Sequence, residues 1–165
     1  MVNRSLKRVV SYRKTDNKQT PEKYAKFIVD YFKPEGIVLE PCKGDGNFFK
    51  FFPKGSLYCD ITEGKDFFDF NQKVDWIITN PPWVYLSEFL KHSFELADNV
   101  VMVFTYHYLG TKRRFKMLRE YNFWIKEILL IPTPEEWGGW GLQLAVYYFK
   151  KNYIGDTKIT YIEKI

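Results

Sequence analysis

The chain has 165 residues, of which 27% are charged and 19% aromatic, and its net charge is +5 at neutral pH. That length suits one domain with a proper core and is short for a two-domain enzyme, while the absence of any long apolar run or apolar signal core argues against a membrane partner and for a cytoplasmic protein. Cys42 and Cys59 are too few and too far apart for a disulfide framework or a metal site, and the basic balance favours an anionic partner such as nucleic acid over none.

Residues 1–19 hold Arg4, Lys7, Arg8, Arg13, Lys14 and Lys18 against the single acid Asp16, which reads as a basic arm ahead of one domain over 20–165. The arm either lies along phosphates or is a solvated terminus. Thr20-Pro21-Glu22 predicts a helix start with Thr20 as the cap, and Tyr24, Phe27, Ile28, Tyr31 and Phe32 recur at helical spacing before a stop near Lys33-Pro34. Residues 36–40 read as the first strand. It runs into Pro41-Cys42-Lys43-Gly44-Asp45-Gly46-Asn47-Phe48-Phe49, where the glycines allow a sharp turn close to a ligand before the next helix. The third glycine of a dinucleotide fingerprint would fall on Phe49, so that motif is excluded. Residues 56–60 form the second expected strand, ending on Asp60, where an α/β fold presents a carboxylate to ribose hydroxyls. Between Asp60 and Asp75 only a shortened helix and strand fit.

Val74 to Ile78 is a continuously apolar strand apart from Asp75, and it runs into Asn80-Pro81-Pro82-Trp83. Proline lacks a ladder N–H, so the strand ends there and presents the Asn80 carboxamide, the first carbonyls and the indole at its carboxyl end. Next comes a helix with Ser87 as its cap and Leu86, Phe89, Leu90, Phe94 and Ala97 as its buried stripe. A buried strand over 100–105 then leads to His107, which reads as solvated or as touching substrate. Thr111-Lys112-Arg113-Arg114 opens a further helix with three cations against its dipole, a pattern for phosphate binding or for a solvated face. Residues 125–131 and 142–149 read as the last main strands, with Trp137 and Trp140 in the loop between them, and 158–162 as an edge strand.

Glu40-Pro41 followed by Gly44-x-Gly46, then Asp60, then Asn80-Pro81-Pro82-Trp83 resembles, in that order, the S-adenosylmethionine (SAM) dependent amino-methyltransferases, above all those acting on N6 of adenine in DNA. The resemblance covers about residues 20–150 and implies a Rossmann-like class I methyltransferase fold, a three-layer α/β/α sandwich whose mostly parallel sheet has an antiparallel strand near one edge. It implies SAM as cofactor, held by Thr20, Glu40, Pro41, Gly44, Gly46, Asp60, Asp66 and Phe67, with Asp69 as the alternative acid. Lys43 departs from the small residue common there and either faces solvent or neutralises the SAM carboxylate. Asn80 and Pro81 would accept the two protons of a conjugated amine, which needs no metal, while Pro82 and Trp83 complete the catalytic motif. Trp83 with Trp137 or Trp140 would sandwich a flipped base, although a hydrophobic contact or a dimer surface would also use those two indoles.

DNA is expected ahead of RNA as the polymer. A protein glutamine is a third substrate, because related release-factor methyltransferases use Asn-Pro-Pro-Tyr. A non-catalytic SAM-fold subunit that binds nucleic acid is the reading from another class. A partner subunit or a homodimer is expected to supply target recognition.

Overall fold

The computed structural model describes residues 18–138 and 143–165, so the arm residues Arg4, Lys7, Arg8, Arg13 and Lys14, as well as Trp140, lie outside the described residues. The strands are β1 (Val38–Glu40), β2 (Leu57–Tyr58), β3 (Val74–Thr79), β4 (Ala97–Thr105), β5 (Phe123–Ile131), β6 (Leu144–Lys151) and β7 (Lys158–Tyr161). They form one sheet in the order β2-β1-β3-β4-β6-β5-β7. β2, β1, β3 and β4 are mutually parallel, β6 is antiparallel to both β4 and β5, and β7 pairs parallel with β5. The chain leaves β1 to one side for β2 and returns to the other for β3. A ligand crevice is expected at the carboxyl ends of strands where the order reverses in this way.

Successive strand residues face opposite layers, and the burial follows that period. Ile77, Val100, Met102, Phe104, Tyr147 and Phe149 pack with α2 (Leu86–Leu96) and α3 (Lys112–Glu120). Ile78, Val101, Val103, Val146 and Tyr148 pack with α1 (Glu22–Phe32) on the other side. Aromatic stacking fills the first layer: Phe104 lies on Tyr147 at 4.2 Å and Phe94 on Phe123 at 4.1 Å between ring centroids. Such contacts add roughly 0.5–1.5 kcal/mol each beyond simple burial. Among the described residues no helix is long and apolar enough to cross a membrane.

Several local expectations are corrected. Thr20 is not the cap of α1: the helix begins at Glu22 after Pro21, with no side-chain cap bond, and Pro21 supplies the carbonyl that Tyr24 and Ala25 N–H groups reach. The helix expected after the glycine loop is only a 3₁₀ turn, Phe49–Phe51, because Pro53 follows too soon for a second turn. Between Asp60 and the start of β3 at Val74 there are two 3₁₀ turns, Ile61–Glu63 and Phe67–Asp69, and no additional strand. Ser87 lies inside α2, because a 3₁₀ turn over Trp83–Tyr85 already winds the chain before it.

The outer strand β7 is fastened to the far layer by Glu127, next to a bulge in β5. Its carboxylate accepts from Tyr31 Oη of α1 at 2.6 Å, from Lys158 Nζ at 2.8 Å and from Thr160 Oγ1 at 3.0 Å. Burial opposes the charge, yet the bonds from Lys158, Tyr31 and Thr160 outweigh it and hold the carboxyl below its ordinary value of 4.5. A depressed folded pKa gives stability that is present above the unfolded value and lost as pH falls through the folded one. Glu127→Ala is therefore expected to cost about 1–3 kcal/mol in urea unfolding at pH 7. That deficit should shrink below the ordinary carboxyl pKa; an equal deficit at low pH would contradict the charge-based account.

Candidate active site

A cleft of about 360 Å³ opens at the carboxyl ends of β1 and β3. Of the residues singled out in the sequence, Thr20, Glu40, Pro41, Gly44, Asp60, Asp66, Phe67, Asn80, Pro81 and Pro82 line it, together with Lys43. Gly46 and Trp83 stand just outside its lining.

The glycine loop has the backbone that the residue type promised. Gly44 and Gly46 sit at φ 51° and 74°, in the left-handed region. An added Cβ at Gly44 would stand 2.3 Å from the Gln19 carboxamide, the end of a flexible side chain that would have to swing aside, so the backbone conformation is what calls for glycine. The Gly44 N–H donates to Asp60 Oδ2 at 2.9 Å, while Asp60 Oδ1 accepts from the Thr62 backbone N–H at 2.8 Å and from its hydroxyl at 2.5 Å. Asp60 thus clamps the glycine loop to the turn after β2. A carboxylate has about four acceptor sites, so Asp60 retains room for roughly one further donor rather than the two expected of it.

Glu40 is the electrostatic outlier. Burial pushes its carboxyl up to about 9, with the Asp60 charge adding to the rise and the Phe49 backbone N–H and Lys43 opposing it. Its Oε2 and the Thr20 hydroxyl are both buried without a hydrogen-bond partner among the described residues, and both residues line the cleft. Buried polar atoms left unpaired cost about 1–3 kcal/mol each, so the site is built at the expense of stability. Asp66 Oδ1 accepts from the Phe68 N–H at 3.0 Å and faces the cleft, whereas Asp69 is exposed and outside it. Phe67 is largely a core residue, stacked on Phe89 at 5.0 Å. Lys43 pairs with Glu63 at 2.5 Å and lies 4.0 Å above the Tyr58 ring, so its ammonium is engaged at the rim.

At the other end, the segment before α1 crosses to the Asn-Pro-Pro loop. Asn80 Nδ2 donates to the Lys18 carbonyl at 3.3 Å, and Asn80 Oδ1 accepts from Trp83 Nε1 at 3.2 Å. Trp137 is 4% exposed, turns its edge to Trp83 at 6.3 Å and donates its N–H to the Gln19 carbonyl at 2.9 Å. Of the two uses expected of this indole, stacking on a base or a hydrophobic contact, its burial fits the second, and it fastens residues 18–19. Arg114 is also redirected. Its guanidinium lies 3.5 Å from the Tyr108 ring centroid and donates to the Tyr108 carbonyl, so it braces the turn after β4, while Lys112 and Arg113 are exposed. His107 is exposed as well. Sequence reasoning missed Gln19, Asn47 and Thr62 at the cleft. Thr62, two residues past Asp60, was detectable as an Asx-turn partner; Asn47, which donates to the Thr20 carbonyl at 2.9 Å, carried no such local signal.

No protein-family model and no curated protein matches the chain. Solved structures do. A Pyrococcus horikoshii protein provisionally described as an RNA methyltransferase is 17% identical over 93% of this chain and 100% of its own, with a TM-score of 0.58. A Listeria monocytogenes protein provisionally described as a class I SAM-dependent methyltransferase is 12% identical over 95% of this chain and 71% of its own, with a TM-score of 0.62. The M protein of the type I restriction enzyme EcoKI is 15% identical over 82% of this chain, with a TM-score of 0.63, and the match spans only 44% of that subunit. At such identities the likeness is one of fold: the chain has the Rossmann-like architecture of the class I SAM-dependent methyltransferases.

Proposed function

We propose that the protein binds SAM and transfers its methyl group to the exocyclic N6 amine of adenine in nucleic acid, DNA ahead of RNA. The observation that carries this reading is that one cleft joins the glycine loop, Glu40 and Asp60 to Asn80 and Pro81. Its residues suit SAM: Glu40, Asp60, Asp66 and the Thr20 hydroxyl line a cleft that would receive a molecule carrying cationic groups and ribose hydroxyls. Bound there, SAM supplies an activated methyl group on a sulfonium. Thr20, Glu40 and the glycine loop would hold its amino-acid end, Asp60 its ribose, and Asp66 with Phe67 its base. Asn80 Oδ1 and the Pro81 carbonyl would accept the two N–H groups of the adenine amine, favouring its pyramidal, nucleophilic form as the bond to carbon develops. Trp83 is the aromatic available to a base swung out of its stack.

The EcoKI likeness favours DNA and a partner subunit that supplies target recognition, while the Pyrococcus horikoshii likeness favours RNA. The deciding experiment is nucleoside mass spectrometry on single-stranded and duplex DNA and RNA incubated with SAM. N6-methyladenine from the native protein and at least about 100-fold less from Asn80→Ala is expected, the size seen when one acceptor or donor is lost from a preorganised site. SAM binding without any methylated base would refute the reading for these polymers.

Glu40 gives a second expectation. With its carboxyl near 9 it is mostly protonated at pH 7 in the free protein, and a cation placed beside it favours the ionised form. SAM binding at pH 7 should therefore release up to about one proton, measured by calorimetry in buffers of different ionisation enthalpy. Glu40→Gln should abolish that release, and identical proton counts in the two proteins would separate Glu40 from the cofactor. For the polymer, Lys112→Ala and Arg113→Ala should each reduce the slope of log affinity against log salt by about 1. Arg114→Ala should instead lower thermal stability, and an altered slope with intact stability would return Arg114 to the phosphates.

A further inference from the structure

An asparagine carboxamide has two ends of nearly equal size, and rotating it by half a turn exchanges an acceptor for a donor. An amine nucleophile arrives with donors, so only one of those orientations helps it. At Asn80 both orientations are judged by neighbours that can play a single role: the Trp83 indole N–H only donates, and the Lys18 carbonyl only accepts. They select the same orientation, with Oδ1 toward the indole and Nδ2 toward the backbone of residue 18. The Trp83 N–H is also shared with the Val103 carbonyl at 3.2 Å, a residue 2% exposed near the end of β4. The indole therefore ties the loop after β3 to the neighbouring strand. A three-centre bond of this length draws weakly on Oδ1, whose second lone pair stays available. Trp83 is itself gripped from elsewhere: it packs against both core layers, and its carbonyl lies 3.5 Å from the Tyr108 hydroxyl, whose ring Arg114 covers.

We propose that Trp83 is a positioning residue for methyl transfer, acting through its indole N–H to hold the Asn80 carboxamide in its acceptor orientation, a role that rests on the amine-methylation reading above. A phenylalanine at 83 would keep an aromatic face and lose this function; a base-stacking role alone would survive that change.

The test is Trp83→Phe, compared with the native protein for SAM affinity, for kcat and KM on the polymer identified by mass spectrometry, and for the mobility of the Asn80 side-chain amide by nitrogen-15 relaxation. The expected result is a fall in kcat of about 10- to 100-fold with KM and SAM affinity unchanged, the size of effect that a misplaced reacting group produces. The Asn80 amide should become more mobile at the same time. Native kcat in Trp83→Phe, or a loss confined to KM, overturns the proposal in favour of stacking. If the native protein methylates no polymer, the N6-adenine reading fails, and the amide measurement still decides the orienting contact: unchanged mobility in Trp83→Phe overturns it. Should the variant not fold, hydrogen exchange on the native protein serves instead. Because Trp83 Nε1 also bonds the Val103 carbonyl, its exchange is compared with that in Asn80→Ala: faster exchange in Asn80→Ala supports the contact and an unchanged rate overturns it.

Discussion

β3 has to stop after Thr79, and the cleft depends on where it stops. Pro81 and Pro82 carry no N–H to continue a ladder, so the chain leaves the sheet just as the Asn80 carboxamide reaches its edge. Because β3 lies beside β1 at the point where strand order reverses, that edge adjoins the glycine loop. The two prolines thus do more than punctuate: they place a neutral acceptor in the cleft that the Gly44 turn also lines.

The remaining site is held by a small number of polar contacts between loops. Asp60 clamps the glycine loop to the turn after β2, Asn47 ties that loop to the entry of α1, and the Asn80 and Trp137 side chains secure the segment ahead of it. Against this background the unpaired atoms stand out. Most buried polar groups in a folded chain find partners. The Thr20 hydroxyl and Glu40 Oε2 find none among the described residues, and they share a cleft in which the Glu40 carboxyl is pushed toward its neutral form. Stability forgone at such a place is typical of a site arranged for a ligand rather than for the fold alone.

The sheet is abbreviated on the β2 side and extended on the other by β7. Little chain separates Asp60 from β3, and it is spent on two tight turns whose first residues, Asp60 and Asp66, cap them and line the cleft. The shortening therefore removes scaffold while keeping the acids in place. On the opposite side, Glu127 holds β7 to α1 through a bulge, giving the added strand an anchor in the layer that also carries Thr20.

Much of this was legible in the chain. The apolar run of β3 and β4, the glycines at 44 and 46, the acid closing β2 and the diproline all act locally, through backbone geometry or periodicity, and each appears where its residue types require. Glu40 and Asp60 could be named because they end or closely follow strands, whereas Asp66, which caps a turn, could be named only through the family resemblance. What local pattern could not supply was the partner of each polar group. Thr20 is a good cap in isolation, but its hydroxyl has no partner among the described residues and Pro21 takes the cap position; Arg114 is one of three cations in sequence and the one that folds onto Tyr108; Trp137 is a loop indole in sequence and a buried one in the fold. Sequence determined the strands, turns and chemistry offered at the sheet edge, because those follow from φ, ψ and side-chain period. Tertiary structure alone decided which donors meet which acceptors, because the residues concerned, such as Gln19 with Trp137 and Trp83 with Val103, are brought together only by packing across the sheet.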